Sequence, residues 1–254
     1  AHLAAQRQAL LLQDATRDLF ERTWAWLGDT QAAHPRAIVT LADPQYPQDL
    51  LNIPDPPLLL YVLGQAWPLP SAGRCLSVVG SRKPSAQGER HAHQFAPVFA
   101  EAGWTVVSGL AGGIDAAAHR GALAGGGEQA TVAVVGTGLD RVYPARNADL
   151  ARQIAAQGLL VSEYPLGTPP LAHNFPQRNR IIAGLARGTL VVEAPIQSGS
   201  LATANFALEQ GREVFAVPGS PIDPRSRGTN DLIRNGAALC EGPEDVIRVL
   251  SDMP

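Results

Sequence analysis

The sequence predicts an α/β protein built on a doubly wound, mostly parallel sheet, with a short helical segment in front of it. Three features predict this. Short apolar runs rich in Val and Leu recur from Cys75 to Val217, stretches of helical periodicity separate them, and strand after strand ends in glycine beside a hydroxyl or charged residue. Strands buried on both faces read as continuous apolar runs, and the helices between them must cross over the sheet in a right-handed sense.

In chain order, residues 1 to about 30 read as helix, with Leu10, Leu11, Leu12, Leu19 and Phe20 as apolar anchors and Gly28 as a stop. Prolines crowd the stretch from Pro35 to Pro70, within which Leu58–Leu63 reads as a buried strand. The further strands are expected at Cys75–Val79, Trp104–Val107, Thr131–Val135, Leu159–Val161, Thr189–Val192 and Glu213–Val217. Between the first two, Ala92, Phe95, Ala96 and Phe99 share one helical face, and Pro97 is expected to kink that helix. Ile114–Ala124 is a helix of small residues suited to close packing, ended by Gly125-Gly126-Gly127. Later helices are expected near Asn147–Ala156, Pro176–Ala186 and Ser200–Gln210, and the tail Asp231–Leu250 reads as two short helices around Gly242-Pro243. The chain thus divides into a helical segment over residues 1–34 and a Rossmann-like body over 35–254.

Composition narrows the function classes. The 254 residues are 45% hydrophobic and 17% charged, with a net charge of −3, so a whole-molecule basic field is absent. A polyanion would have to meet local clusters, and since Lys83 is the only lysine, those clusters must be arginine. No apolar run approaches the roughly twenty residues of a membrane span. The N-terminus lacks the pattern of a signal peptide, and Cys75 and Cys240 read as buried free thiols of a reduced compartment; a cytoplasmic location is expected. No cofactor or metal is expected either. His91 and His93 stand two apart and diverge on a helix, while His119 reads as a capping or packing residue.

Four strand ends carry the chemistry: Val79-Gly80-Ser81-Arg82, Val107-Ser108-Gly109 through Gly112-Gly113-Ile114-Asp115, Val135-Gly136-Thr137-Gly138, and Gln197-Ser198-Gly199-Ser200. Glycine lets backbone approach a phosphate, the hydroxyls add donors, and a following helix adds its positive end. Neither a dinucleotide fingerprint nor a Walker loop fits, and the order needed for a nucleophile elbow is missing. The segment Asn174-Phe175-Pro176-Gln177-Arg178-Asn179-Arg180 then offers a ring, a helix-starting proline and two arginines around one helix start. Arg178 and Arg180 lie about 200° apart on a helix and cannot both face one pocket. Arg178 is expected to face it, while Arg180 has two readings, the pocket or a buried carboxylate such as Glu193. Asp115 and Glu193 have two readings, a carboxylate pair or, the expected one, residues that orient arginines. Arg225-Ser226-Arg227 could extend the path of a strand or be solvated.

Taken in order, these pieces resemble the DNA-processing protein A (DprA, also called Smf) family. The resemblance rests on Tyr46-Pro47 and Pro56-Pro57-Leu58 to Gly64, Gly80-Ser81-Arg82, Ser108 to Asp115 with His119, Gly136 to Asp140 with Tyr143-Pro144, and Ser162-Glu163-Tyr164-Pro165. It continues through Phe175-Pro176 to Gly184, Val192-Glu193-Ala194, Ser198 to Ala204, and Phe215 to Gly219 with Gly228-Thr229-Asn230. It spans about Leu41 to Ala237, with Gln87-Gly88 standing where the family often has Tyr-Gly. It implies an extended Rossmann fold that dimerises, binds single-stranded DNA without cutting it, and loads the RecA recombinase during natural transformation. Members often add an N-terminal sterile-alpha-motif-like domain and a C-terminal winged-helix-like domain. Here residues 1–34 are expected to be a remnant of the first, and the second has no counterpart in the sequence.

The expected DNA-binding set is Gly80, Ser81, Arg82, Gly109, Gly112, Gly113, Phe175, Arg178, Arg180, Ser198, Gly199 and Ser200, with no catalytic residue. Dimerisation has two readings of its own: Leu232, Ile233, Val246, Ile247 and Leu250 form an apolar face for a second copy, or they pack on the protein's own core. The rival function is a nucleotide-processing, phosphoribohydrolase-like enzyme. Those enzymes call for a Pro-Gly-Gly-x-Gly-Thr turn followed by a glutamate, where this chain has Gln197-Ser198-Gly199-Ser200. A third reading is a protein-interaction platform with a vestigial pocket.

Overall fold

The computed structural model describes residues 14–127 and 129–253. A single nine-stranded sheet forms the body. Its strands are β1 (Arg36–Thr40), β2 (Leu59–Leu63), β3 (Cys75–Val79), β4 (Thr105–Ser108), β5 (Thr131–Val134), β6 (Leu159–Ser162), β7 (Gly188–Val191), β8 (Glu213–Ala216) and β9 (Ala238–Leu239). The helices are α1 (Asp14–Gly28), α2 (Gln48–Leu51), α3 (Ala86–Glu101), α4 (Ile114–Gly125), α5 (Ala148–Gln157), α6 (Asn174–Gly184), α7 (Gly199–Glu209), α8 (Arg227–Arg234) and α9 (Pro243–Asp252). The strands run in the order β1-β2-β6-β5-β4-β3-β7-β8-β9. From β6 to β9 all neighbours are parallel, while β1–β2 and β2–β6 are antiparallel. The doubly wound, mostly parallel fold expected from the sequence is therefore the observed one.

The central strands are buried along their whole length, and alternate residues go to opposite faces. Val79, Val107, Val134 and Val191 join Ile181, Ile182, Ala204 and Ala207 of α6 and α7 in one core layer. Leu76, Val78, Val106 and Leu190 join Phe95 and Phe99 of α3, Ala117 of α4, and Val246 and Leu250 of α9 in the other. Each Val, Leu, Ile or Phe among them that is removed from water contributes roughly 1.5–3 kcal/mol. Pro97 does not end α3, which runs on to Glu101. It leaves the His93 carbonyl without its in-helix donor. Gly121 of α4 lies against that carbonyl, where a Cβ would come within 2.4 Å of it, and Gly125 likewise faces Pro97. The small residues of α4 thus let two helices meet backbone to backbone.

Three local expectations change. β1 was not anticipated in the proline-dense stretch. The tail is not simply two helices, because β9 adds a parallel strand to β8 between them. Most of the apolar residues of the tail are also engaged at home: Val246 and Leu250 are buried in the core, with Ile247 and Leu232 packed against it. Ile233 of the same set stays part-exposed and belongs to neither core layer, and Leu239 is exposed. At the other end, Leu10, Leu11 and Leu12 lie outside the described residues. Trp26 of α1 packs edge-on to Tyr61 of β2, with the Arg36 guanidinium 5.3 Å from its ring centre, while Phe20 and Trp24 remain exposed.

The functional consequence of this topology is its switch point. From β3 the chain winds outward one way through β4, β5 and β6, and then returns to lay β7 on the other side of β3. The loops at the carboxyl ends of β3 and β7 must diverge, which opens a crevice there.

Candidate nucleic-acid interface

A solvent-open cavity of about 530 Å³ occupies that crevice. Its walls come from the end of β3 (Val79 to Lys83), from Ala111 and Asp115 beyond β4, from Phe175 to Asn179 on α6, and from Gln197 to Ser200 at the start of α7. Arg225 approaches from the 3-10 turn Pro224–Ser226. Four cationic side chains, Arg82, Lys83, Arg178 and Arg225, thus face one carboxylate, Asp115. The net charge of −3 concealed a locally basic pocket. Lys83 was noted in the sequence only as the sole lysine, and its place in the wall follows from adjacency to Arg82 on the turn after β3.

Phe175 is the aromatic residue of the pocket lining. Its ring backs onto Gly136, where a Cβ would come within 3.1 Å of the ring, and the Arg82 guanidinium stands 5.6 Å from its centre. Ser198 caps α7, its hydroxyl accepting from the Ser200 N–H at 3.2 Å. The Asn179 amide holds the Gly199 carbonyl at 3.2 Å, tying α6 to α7. The positive end of the helix dipole at this first turn favours an anion.

The glycines divide into two classes, which the sequence did not separate. A Cβ on Gly199 would meet no protein atom, so the fold does not demand glycine there, and the open side is the pocket. A Cβ on Gly80 would strike Ile114, and one on Gly109 would strike Arg178 and Asp115. At Gly112 it would overlap the Arg146 guanidinium. Gly113, at a φ of +79°, caps α4 and lies against the Ser81–Arg82 backbone. Gly109, Gly112 and Gly113 therefore stand behind the pocket wall and not in it. At Gly109 and Gly113 the protein's own side chains and backbone fill the space a Cβ would need, while at Gly112 only the end of the exposed Arg146 side chain stands there.

The two arginines of α6 do separate, as their spacing requires. Arg178 is buried under the pocket and donates to the carbonyls of Gly109 (2.8 Å) and Val134 and to Asn179 Oδ1 (3.2 Å). Burial lowers its pKa to about 10, against the pull of the Asp115 charge, so it remains a cation at neutral pH. Asp115 accepts from the Gly109 and Ala111 N–H groups, and burial raises its pKa against those bonds and the Arg178 charge. Arg180 is not in the pocket. It forms a bidentate pair with Glu163, at 2.7 Å for each bond, and donates to the Asp55 carbonyl. The expected carboxylate Glu193 instead accepts from the Ser85 N–H and hydroxyl at the start of α3, fixing the loop after Arg82. Arg225 lines the pocket while paired with Asp223.

His119 is a packing residue. Its Nε2 accepts from the Leu110 N–H at 3.3 Å, which leaves Nδ1 protonated and donating to Thr131 Oγ1 at 2.7 Å. Burial, with Arg178 and Arg120 nearby, lowers its pKa to about 3. The unfolded chain takes up this proton near 6.5, so below that pH the unfolded state binds more protons. The His119 contribution is complete above about pH 6.5 and is lost as pH falls towards about 3, at up to about 1.4 kcal/mol per pH unit. Urea unfolding of the wild type should show this acid limb, and His119→Gln should flatten it. An unchanged limb would mean that other groups govern acid stability.

The profile of the DNA recombination-mediator protein A family matches residues 37–251. The chain belongs to that family. Protein Smf of Escherichia coli is 46% identical over 246 residues, covering 96% of this chain and 63% of the relative. The DNA processing protein DprA of Streptococcus pneumoniae is 46% identical over 208 residues, 82% of this chain and 72% of the relative. Its crystal structure superposes with a TM-score of 0.79 over 90% of this chain and 77% of that one, at 42% identity. DNA processing protein A of Helicobacter pylori, known for a unique single-stranded DNA binding mode, superposes with a TM-score of 0.75 at 28% identity, over 84% and 95% of the two chains. The chain spans 57% of the length of Synechocystis Smf and 63% of that of the E. coli protein. Among the described residues no helix is long and apolar enough to cross a membrane.

Proposed function

We propose that this member of the DNA recombination-mediator protein A family binds single-stranded DNA in the switch-point pocket without cutting it. The observation that carries this reading is the stacking of three features in one cavity: the Phe175 ring, the Arg82 guanidinium over it, and the capped start of α7. A nucleotide is an anion bearing a flat base, and the pocket offers a partner for each part. Such contacts meet backbone and base faces, so binding is weakly dependent on sequence. The DNA-contacting residues are then Gly80, Ser81, Arg82, Phe175, Ser198, Gly199 and Ser200, with Arg178 as the charged floor. In this reading Arg180 and Gly109, Gly112 and Gly113 are structural.

The family resemblance extends the proposal to protection of incoming DNA and its delivery to the RecA recombinase in the cytoplasm, by a homodimer. An enzymatic reading has less to stand on. Glu209, the only acidic residue of α7, lies at its far end and outside the pocket, and Asp115 is held by two N–H groups and faces Arg178.

Fluorescence anisotropy with single- and double-stranded oligonucleotides tests the proposal. Single strands should bind more tightly, with log affinity falling with log salt by about 0.7 per phosphate contact. Phe175→Ala should lose roughly 1–3 kcal/mol of stacking. Equal affinity for duplex, or no salt dependence, would overturn the pocket model. Release of free base from nucleoside monophosphates would revive the phosphoribohydrolase reading.

A further inference from the structure

The pocket takes about one nucleotide, yet the aromatic and basic surface does not stop at its rim. Tyr143, half-exposed, lies with its ring centre 5.4 Å from that of Phe175, the two planes inclined by 37°. Neither Tyr143 nor Arg146 lines the cavity. Arg146 is exposed and lays its guanidinium over Gly112, and among the described residues no carboxylate lies within ion-pair distance of it. Val142 adds exposed apolar surface beside Tyr143.

This segment is a fixed platform. The Asn147 amide donates to the carbonyls of Leu110 (2.8 Å) and Ala111 (3.3 Å), fastening its end to the loop after β4. The Arg141 N–H donates to the Gly138 carbonyl, and the Asn147 N–H to the Pro144 carbonyl. A ring and an unpaired guanidinium carried on this platform beside an anion pocket match the next nucleotide of a single strand. The ring serves its base and the guanidinium its phosphate.

We propose that Tyr143 and Arg146 form a second nucleotide subsite, so that a strand seated on Phe175 leaves the pocket across Tyr143 towards Arg146. The proposal rests on the single-strand reading of the pocket. A side chain at Gly112 would displace the Arg146 guanidinium from its present position.

Photocrosslinking of the whole chain to short oligothymidylates, each carrying one iodouracil, reads the path directly. Adjacent substituted positions should crosslink to the peptides that contain Phe175 and Tyr143. Arg146→Gln and Tyr143→Ala should each weaken binding of these oligonucleotides about tenfold, with Tyr143→Phe restoring the loss at the second site. Arg146→Gln should also lower the salt slope by about 0.7. Crosslinks at Phe175 alone, with Arg146→Gln binding as the wild type does, would overturn the second subsite and leave the pocket standing. If the wild type binds no oligonucleotide, the pocket reading fails, and the second subsite with it.

Discussion

Arg82→Glu is expected to abolish single-stranded DNA binding while leaving the fold intact. Arg82 is exposed at the pocket mouth, and among the described residues it has no ion-pair partner. Its guanidinium stands over the ring on which a base would stack. The substitution removes a charge-assisted contact of roughly 1.5–3 kcal/mol and sets a negative charge against the phosphate. The expected loss is at least about a hundredfold in affinity at low salt. The salt slope of any residual binding should fall by about 0.7. Thermal unfolding should change little, because the exposed side chain forms no ion pair among the described residues, and its charge acts in opposite senses on buried Asp115 and Arg178. Wild-type affinity in the variant would remove Arg82 from the contact set.

The second large effect belongs to stability. Arg180→Ala leaves Glu163, whose side chain is 17% exposed, without the guanidinium that donates to both its oxygens. Breaking a buried pair from one side costs about 3–5 kcal/mol, and the lower end applies here because solvent reaches both groups. Asp55 adds little, since its side chain is 80% exposed. Urea unfolding should therefore show a loss of about 3 kcal/mol. The double variant Arg180→Met/Glu163→Leu should recover much of it, because it leaves no unpaired charge behind. Folded Arg180→Ala should still bind single-stranded DNA. A variant with wild-type stability but no DNA binding would place Arg180 in the interface after all.

The same helix shows how far sequence reading reaches. The spacing of Arg178 and Arg180 determined that they face different ways, because helix geometry is local. It did not determine which carboxylate Arg180 meets. Glu163 follows β6 and Glu193 follows β7, and only the sheet order decides which one comes near. The glycine turns were legible as turns at strand ends. Whether a missing Cβ makes room for a ligand or for the protein's own Ile114, Arg178 or Arg146 depends on residues distant in sequence. β9 escaped notice because two residues carry no periodicity, and β1 because proline crowding masked a five-residue run.

The sequence by itself determined the fold class, the succession of strands and helices, and the segments that carry the chemistry. Apolar periodicity, glycine turns and helix starts are properties of short stretches of chain, and they can be read there. Only the tertiary structure decided that β7 returns beside β3 and so places Phe175, Arg82 and the start of α7 around one crevice. It also decided that Val246 and Leu250 of the tail are buried in the core, and that Tyr143 and Arg146 stand beside the pocket. These outcomes depend on contacts between residues far apart in the chain, which are set by how the sheet is wound and by which surfaces must leave water together.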